Sequence, residues 1–177
     1  MNTPNKLTLM RTLLVPVFVL CMYFNFNNSR LIATAIFAIA SFTDFLDGHI
    51  ARRDNLVTNF GKFADPLADK ILVCSAMIML VSTGEMPAWG VIIIIAREFT
   101  ITGFRIIAAS ENITIAASPL GKFKTVTQLI SNILLLTGLE SFKTPGMIVF
   151  YLAVIFTVIS GTDYLIKNKK VLDLENI

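Results

Sequence analysis

Apolar and polar positions alternate along the chain in long blocks. Strongly apolar runs cover about residues 9 to 24, 31 to 50, 66 to 83, 87 to 108, 121 to 139 and 146 to 166. With tilt and interfacial ends, each is long enough to cross a hydrocarbon layer roughly 30 Å thick as a helix. The breaks are Asn-rich at 25 to 29, charged at 52 to 62, Gly/Pro-marked at 83 to 87, Ser/Asn/Pro-bearing at 110 to 119 and Gly/Pro-bearing at 138 to 146, as expected of connections. The pattern predicts six helices and no internal repeat.

Composition turns these helices into membrane helices. The chain is 55% hydrophobic and 15% charged, with a mean hydropathy of +0.72, whereas soluble domains carry roughly 25% charged residues. Six crossings use most of the 177 residues, so the expectation is one all-α, polytopic integral-membrane domain over 1–177, with six transmembrane helices and no separate soluble domain. Lys6 and Arg11 precede the run from Leu13 to Phe24, in the manner of a signal peptide. The following Asn25-Phe26-Asn27-Asn28 lacks a small-residue cleavage site, which makes this run the first membrane helix. Cys21 and Cys74 lie inside apolar runs and read as small hydrophobes, with neither a disulfide nor a zinc site.

Charge sets the orientation. One set of helix ends holds Lys6, Arg11, Arg52, Arg53, Lys62, Lys70, Arg105, Lys122, Lys124, Lys167, Lys169 and Lys170; the opposite set holds Arg30 and Lys143. The positive-inside rule places both termini and the charged loop in the cytoplasm, in a multi-pass protein of the cell membrane. The net charge of +3 and the Lys167 to Lys170 tail suit an anionic lipid surface. No nucleic-acid partner is expected.

The break between the second and third runs is where chemistry concentrates. Asp44 and Asp47 are three apart, and Asp65 and Asp69 are four apart; both spacings put side chains on one helical face. Four carboxylates brought together near a membrane repel and are costly to desolvate, and a divalent cation removes the conflict. Oxygen ligands without a His or Cys pair favour a hard ion, magnesium or manganese; lone His49 has no partner at metal spacing and reads as structural. Gly48 leaves the backbone open to a ligand, as Gly61 does further on. Arg52, five residues after Asp47, is within reach of a phosphate that the metal also holds. Pro66 is expected in the first turn of the third helix.

Asp44, Asp47, Gly48, Ala51, Arg52, Gly61, Asp65 and Asp69 fit the pattern D-x2-D-G-x2-A-R-x8-G-x3-D-x3-D without a departure. This resembles the CDP-alcohol phosphatidyltransferases. The resemblance implies a six-helix membrane enzyme, usually a homodimer, that transfers a phosphatidyl group from CDP-diacylglycerol to an alcohol and releases CMP. It makes Asp44, Asp47, Asp65 and Asp69 ligands of one or two divalent cations, Mg2+ or Mn2+. Gly48, Ala51, Arg52 and Gly61 match the nucleotide-binding positions, and Asp69 is the expected general base toward the acceptor hydroxyl.

The acceptor is read from the remaining cations. Arg97 lies about ten residues into the fourth run, where a charge is expensive unless it faces a polar cavity. Arg105, eight residues on, is about 80° around and roughly 12 Å along a helix, and Lys122 and Lys124 approach from the start of the fifth. A dianionic phosphate suits such a set, which favours glycerol 3-phosphate over serine, choline or ethanolamine. The opening Asn5, Thr8 and Arg11, and the segments "REFTITGFR" and "GKFKTVTQ", are similar to the family branch whose acceptor is glycerol 3-phosphate. That similarity adds Asn5 and Thr8 to the nucleotide site and Thr125 to the acceptor site with Arg97, Arg105, Lys122 and Lys124, although Thr8 equally suits a helix cap. The same chemistry with inositol phosphate, serine or phosphatidylglycerol as acceptor remains open. A divalent-cation transporter, whose acids would sit deep in the span, is the alternative of a different class.

Overall fold

Each apolar run becomes a helix, and the helices reach past the runs into the polar breaks. In the computed structural model the backbone is described for residues 3–24, 26–53, 59–110, 115 and 118–168, and side chains for 10–24, 26–43, 70–108, 115 and 118–168. The elements are α1 (Thr3–Tyr23), α2 (Ser29–Arg53), α3 (Asn59–Ser82), α4 (Ala88–Ser110), α5 (Pro119–Leu136) and α6 (Glu140–Lys167). The described residues contain no strand, so the chain is all-α. Two starts differ from the sequence reading. Helix α3 begins at Asn59, which places Pro66 beyond its first turn rather than in it, and α6 begins at Glu140 with Pro145 inside it. A proline removes one backbone donor but does not end a helix whose other turns are held by packing.

Helix α5 starts as its sequence dictates: Ser118 is extended and its Oγ accepts from the Gly121 amide at 3.1 Å, with Pro119 at the first helical position, where no donor is needed. Helices α5 and α6 form the most extensive pair. Ser131 Oγ donates to the Gly146 carbonyl at 3.0 Å, and a Cβ at Gly146 would lie 2.7 Å from Leu135 Cδ2, so only glycine lets the two backbones approach this closely. Helix α1 packs on α2 and α3, α4 on α3 and α6, and α5 also on α2 and α3. Phe18, Phe37, Leu72, Met77, Leu80, Ile94, Leu136 and Phe150 fill the centre, while Ile101, Phe104 and Tyr164 form a separate cluster.

The exterior is apolar as well. Leu13, Ile39, Phe42, Ile92, Ile106 and Ile166 all point outward, far more exposed hydrophobic surface than a soluble monomer carries. Among the described residues, the α6 helix Glu140–Lys167 is long and apolar enough to cross a membrane, and shorter apolar segments run over Met10–Tyr23, Ser29–Thr43 and Lys70–Ser82.

One end of the bundle is tied by Arg30. From the first turn of α2 its guanidinium meets both Glu85 carboxylate oxygens at 2.5 Å. It also donates to the carbonyls of Leu136 at 3.4 Å and of Leu135 at 3.1 Å, the latter shared with the Gly138 amide at 3.2 Å. Gly138 turns the chain toward α6 with φ +69°, and a Cβ there would lie 2.7 Å from Arg30 Cζ. Gly138→Ala therefore meets both backbone strain and a clash; we expect it to destabilise the fold by about 1–3 kcal/mol, read as a lowered thermal midpoint in detergent. An unchanged midpoint would show that Arg30 moves aside freely.

Candidate active site

The opposite end of the bundle holds a cavity of about 220 Å³ between α2, α3, α4 and α5. Its wall is Ser41 from α2, Lys70, Val73 and Cys74 from α3, Glu98 from α4, and Lys124, Thr125, Val126, Gln128 and Leu129 from α5. On α3 the lining passes from Lys70 to Val73 and Cys74, whereas on α5 Gln128 and Leu129 follow Lys124.

Helical spacing explains which α5 residues face inward. Lys124, Gln128, Ser131, Asn132 and Leu135 recur at three or four residues and are all buried, one stripe of the helix. Lys124 is only 2% exposed. An ammonium at that depth needs a counter-charge, and α4 supplies it: Lys124 Nζ forms a short ion pair with Glu98 Oε1. The same oxygen accepts from Arg97 Nη1 at 3.1 Å. Arg97 Nη2 reaches across to Ser160 Oγ on α6 at 3.2 Å, and a Cβ at Gly161 would come within 3.1 Å of Arg97 Cγ. Small residues on α6 thus make the slot in which the arginine lies. Among the described residues, Arg97 Nε is buried without a hydrogen-bond partner, as is the hydroxyl of Ser41 on the cavity wall.

The residues expected to hold an acceptor phosphate divide. Lys124 and Thr125 line the cavity, the Thr125 hydroxyl donating to the Gly121 carbonyl at 3.0 Å; Arg97 meets Lys124 on the Glu98 carboxylate but is not among the residues that line it. Lys122 is exposed and does not line the cavity. Arg105 lies apart from it: Nε donates to the Tyr164 hydroxyl at 3.1 Å, and the guanidinium stands over that ring, 5.5 Å from its centroid. Asn5 and Thr8 fall on α1; Asp44, Asp47, Gly48, Ala51 and Arg52 on α2; and Gly61, Asp65 and Asp69 on α3. The side chains of these ten lie outside the described residues. In sequence Asp44 and Asp69 adjoin the cavity lining, since Ser41 precedes Asp44 by one turn and Lys70 follows Asp69.

Sequence reading missed Lys70, Ser41, Gln128 and Ser160. Lys70 served only as an orientation charge. The four-residue step from Lys124 to Gln128 is the signal that points to a shared face. Gln128 Nε2 lies 3.4 Å from Met77 Sδ, so that stripe carries its polarity deep into the bundle.

Residues 1–159 match the CDP-alcohol phosphatidyltransferase family, and the chain belongs to it. Relatives named CDP-diacylglycerol–glycerol-3-phosphate 3-phosphatidyltransferase occur in Bacillus subtilis (strain 168), 45% identical over 99% of both chains, and in Rickettsia felis, 38% identical over 96% of both. A relative of the same name in Haemophilus influenzae is 38% identical over 93% of this chain and 91% of its own.

The ion pair makes a prediction about stability. Removing one partner of a buried pair costs roughly 3–5 kcal/mol, and replacing both by apolar groups costs far less. Glu98→Leu should therefore be more destabilised than the double variant Glu98→Leu/Lys124→Met, as measured by thermal unfolding in detergent. Additive losses would mean that the two charges are not coupled.

Proposed function

We infer that the chain is a phosphatidylglycerophosphate synthase, transferring the phosphatidyl group of CDP-diacylglycerol to glycerol 3-phosphate with release of CMP. Family membership and full-length relatives of that name support the reaction. The observation that carries the acceptor is the cavity whose lining begins one residue after Asp69 and includes Lys70, Glu98 and Lys124, with Arg97 on the same carboxylate.

The acids fit a divalent cation by position. The buried positions Ala33, Phe37 and Ala40, continued at three- and four-residue steps, reach Asp44 and Asp47. Leu72, Ala76 and Leu80, continued backward, reach Asp69 and Asp65. Both acidic pairs are thus in phase with the inward faces of α2 and α3, which pack together. Such an all-oxygen donor set suits magnesium or manganese, and one or two such ions, when bound, would neutralise charge on the pyrophosphate.

The chain's own residues do the rest. Gly48, Ala51, Arg52 and Gly61, with Asn5 and Thr8, hold the nucleotide. Lys124 and Arg97, with Thr125 beside them, hold the phosphate of glycerol 3-phosphate, and Lys122 and Arg105 draw the anion toward the mouth. The terminal hydroxyl of glycerol 3-phosphate, on the carbon farthest from its phosphate, attacks the phosphorus that carries diacylglycerol, Asp69 accepts its proton, and the bond to CMP breaks. The six helices cross the cell membrane with the active site and both termini in the cytoplasm, a reading supported by the apolar exterior and the Lys/Arg asymmetry.

Offered a panel of acceptors with CDP-diacylglycerol and magnesium, the purified protein should release CMP and form phosphatidylglycerophosphate with glycerol 3-phosphate. Faster transfer to serine or inositol phosphate would overturn the acceptor. Asp69→Asn should keep CDP-diacylglycerol binding and lose turnover by roughly 10²- to 10⁴-fold; near-normal turnover would remove Asp69 as the base.

A further inference from the structure

We propose that Gln128 is a specificity residue for the acceptor: its carboxamide, one turn further along α5 than Lys124, hydrogen-bonds the middle hydroxyl of glycerol 3-phosphate and so selects it over the same phosphate ester without that hydroxyl. The inference rests on the reading of this cavity as the acceptor site, with Lys124 on the phosphate. It concerns an amide that no step of the transfer employs.

Burial without full bonding carries the argument. Gln128 is 5% exposed and forms part of the cavity wall. A carboxamide offers two N–H donors and a carbonyl acceptor, and placing it among apolar residues costs free energy unless those groups are bonded. Among the described residues its one hydrogen bond runs from Nε2 to Met77 Sδ at 3.4 Å, and a thioether is a weak acceptor. One N–H and the carbonyl oxygen are left for something in the cavity. A leucine at this position would line the wall without that cost; a ligand that bonds to the amide accounts for its presence.

The rest of the wall matches the acceptor's order of polar and apolar groups. Lys124 and Gln128 are four residues apart on the buried stripe of α5, about 6 Å along the helix. A ligand whose phosphate meets the ammonium therefore brings its carbon chain within reach of the amide. On glycerol 3-phosphate the middle hydroxyl stands on the carbon next to the one that bears the phosphate, between that phosphate and the attacking terminal hydroxyl. Val73, Cys74, Val126 and Leu129 give the carbon chain apolar surface. Ser41 adds a hydroxyl that is buried without a partner among the described residues, one turn before Asp44. The volume of about 220 Å³ falls below the roughly 300–1,000 Å³ of sites for drug-sized ligands, which suits a three-carbon phosphate ester and not a diacylglycerol. A substrate lacking a hydroxyl that a buried polar group is built to meet leaves that group unpaired, and this discriminates more strongly than a missing methylene does.

Transfer to glycerol 3-phosphate is compared with transfer to 3-hydroxypropyl phosphate, which keeps the phosphate and the attacking hydroxyl and lacks the middle one. CMP release in detergent micelles is measured for wild type, Gln128→Met, Gln128→Leu and Lys124→Met, together with their thermal midpoints. Wild type should favour glycerol 3-phosphate by about tenfold or more in kcat/KM, the loss of one buried hydrogen bond. In Gln128→Met that preference should fall to about twofold or less, through a loss with glycerol 3-phosphate alone, while KM for CDP-diacylglycerol stays within about twofold of wild type. Equal losses with both acceptors, or an unchanged preference in both Gln128 variants, would reduce Gln128 to a structural role and overturn the proposal. A rise in KM confined to CDP-diacylglycerol would put the amide on the donor lipid and overturn it too. Equal use of the two acceptors by wild type would overturn it without any variant, so a variant that fails to fold does not shield it. If Lys124→Met leaves KM for glycerol 3-phosphate unchanged, the cavity does not take the acceptor and both readings fall together; a raised KM in Lys124→Met with an unchanged preference in the Gln128 variants removes this proposal alone.

Discussion

An ammonium group buried in an apolar helix bundle must be met by a carboxylate or it will not stay there. Much of the architecture at the cavity follows from that requirement. Lys124 sits on α5, its counter-charge Glu98 on α4, and the second cation on that carboxylate, Arg97, is seated against Ser160 and Gly161 of α6. Three helices are thereby held in register by a polar contact that the surrounding leucines and isoleucines cannot specify, since apolar packing tolerates small slides that a buried ion pair does not. The pair is costly to keep, and it borders the cavity.

The two ends of the bundle show the same chemistry put to different ends. At one, Arg30 satisfies the last carbonyls of α5 and pairs with Glu85, so its charge is consumed by structure. At the other, the cations line an opening. Along α3 the lining passes from Lys70 to Val73 and Cys74, while α5 carries Gln128 beside Leu129.

Much of this was legible in the residues. Long apolar runs fix the number and order of helices because nothing else can satisfy the backbone within them. Helix ends were less legible: α3 and α6 begin before their prolines, since capping and packing of polar turns leave little trace in hydropathy. Arg97 stood out because a cation inside an apolar run demands a partner, but the sequence did not reveal that the partner was its neighbour Glu98. Lys122 and Lys124 looked like equivalents, yet two positions on a helix point in nearly opposite directions, and only packing shows which points inward. Arg105 shared a plausible angular face with Arg97; eight residues of rise carried it to Tyr164 instead. Lys70 and Ser41 carried no signal of their own, because facing a cavity is a property of neighbours distant in sequence.

The central claim is that acids from α2 and α3 and cations from α4 and α5 grip the two reacting phosphates side by side. The most direct measurement is a structure with magnesium, CDP-diacylglycerol and an unreactive acceptor analogue lacking the attacking hydroxyl. The account predicts the pyrophosphate at a metal held by Asp44, Asp47, Asp65 and Asp69, and the acceptor phosphate within hydrogen-bond reach of Lys124 and Arg97. An acceptor phosphate bound elsewhere, with the Lys124–Glu98 cavity empty, would contradict it.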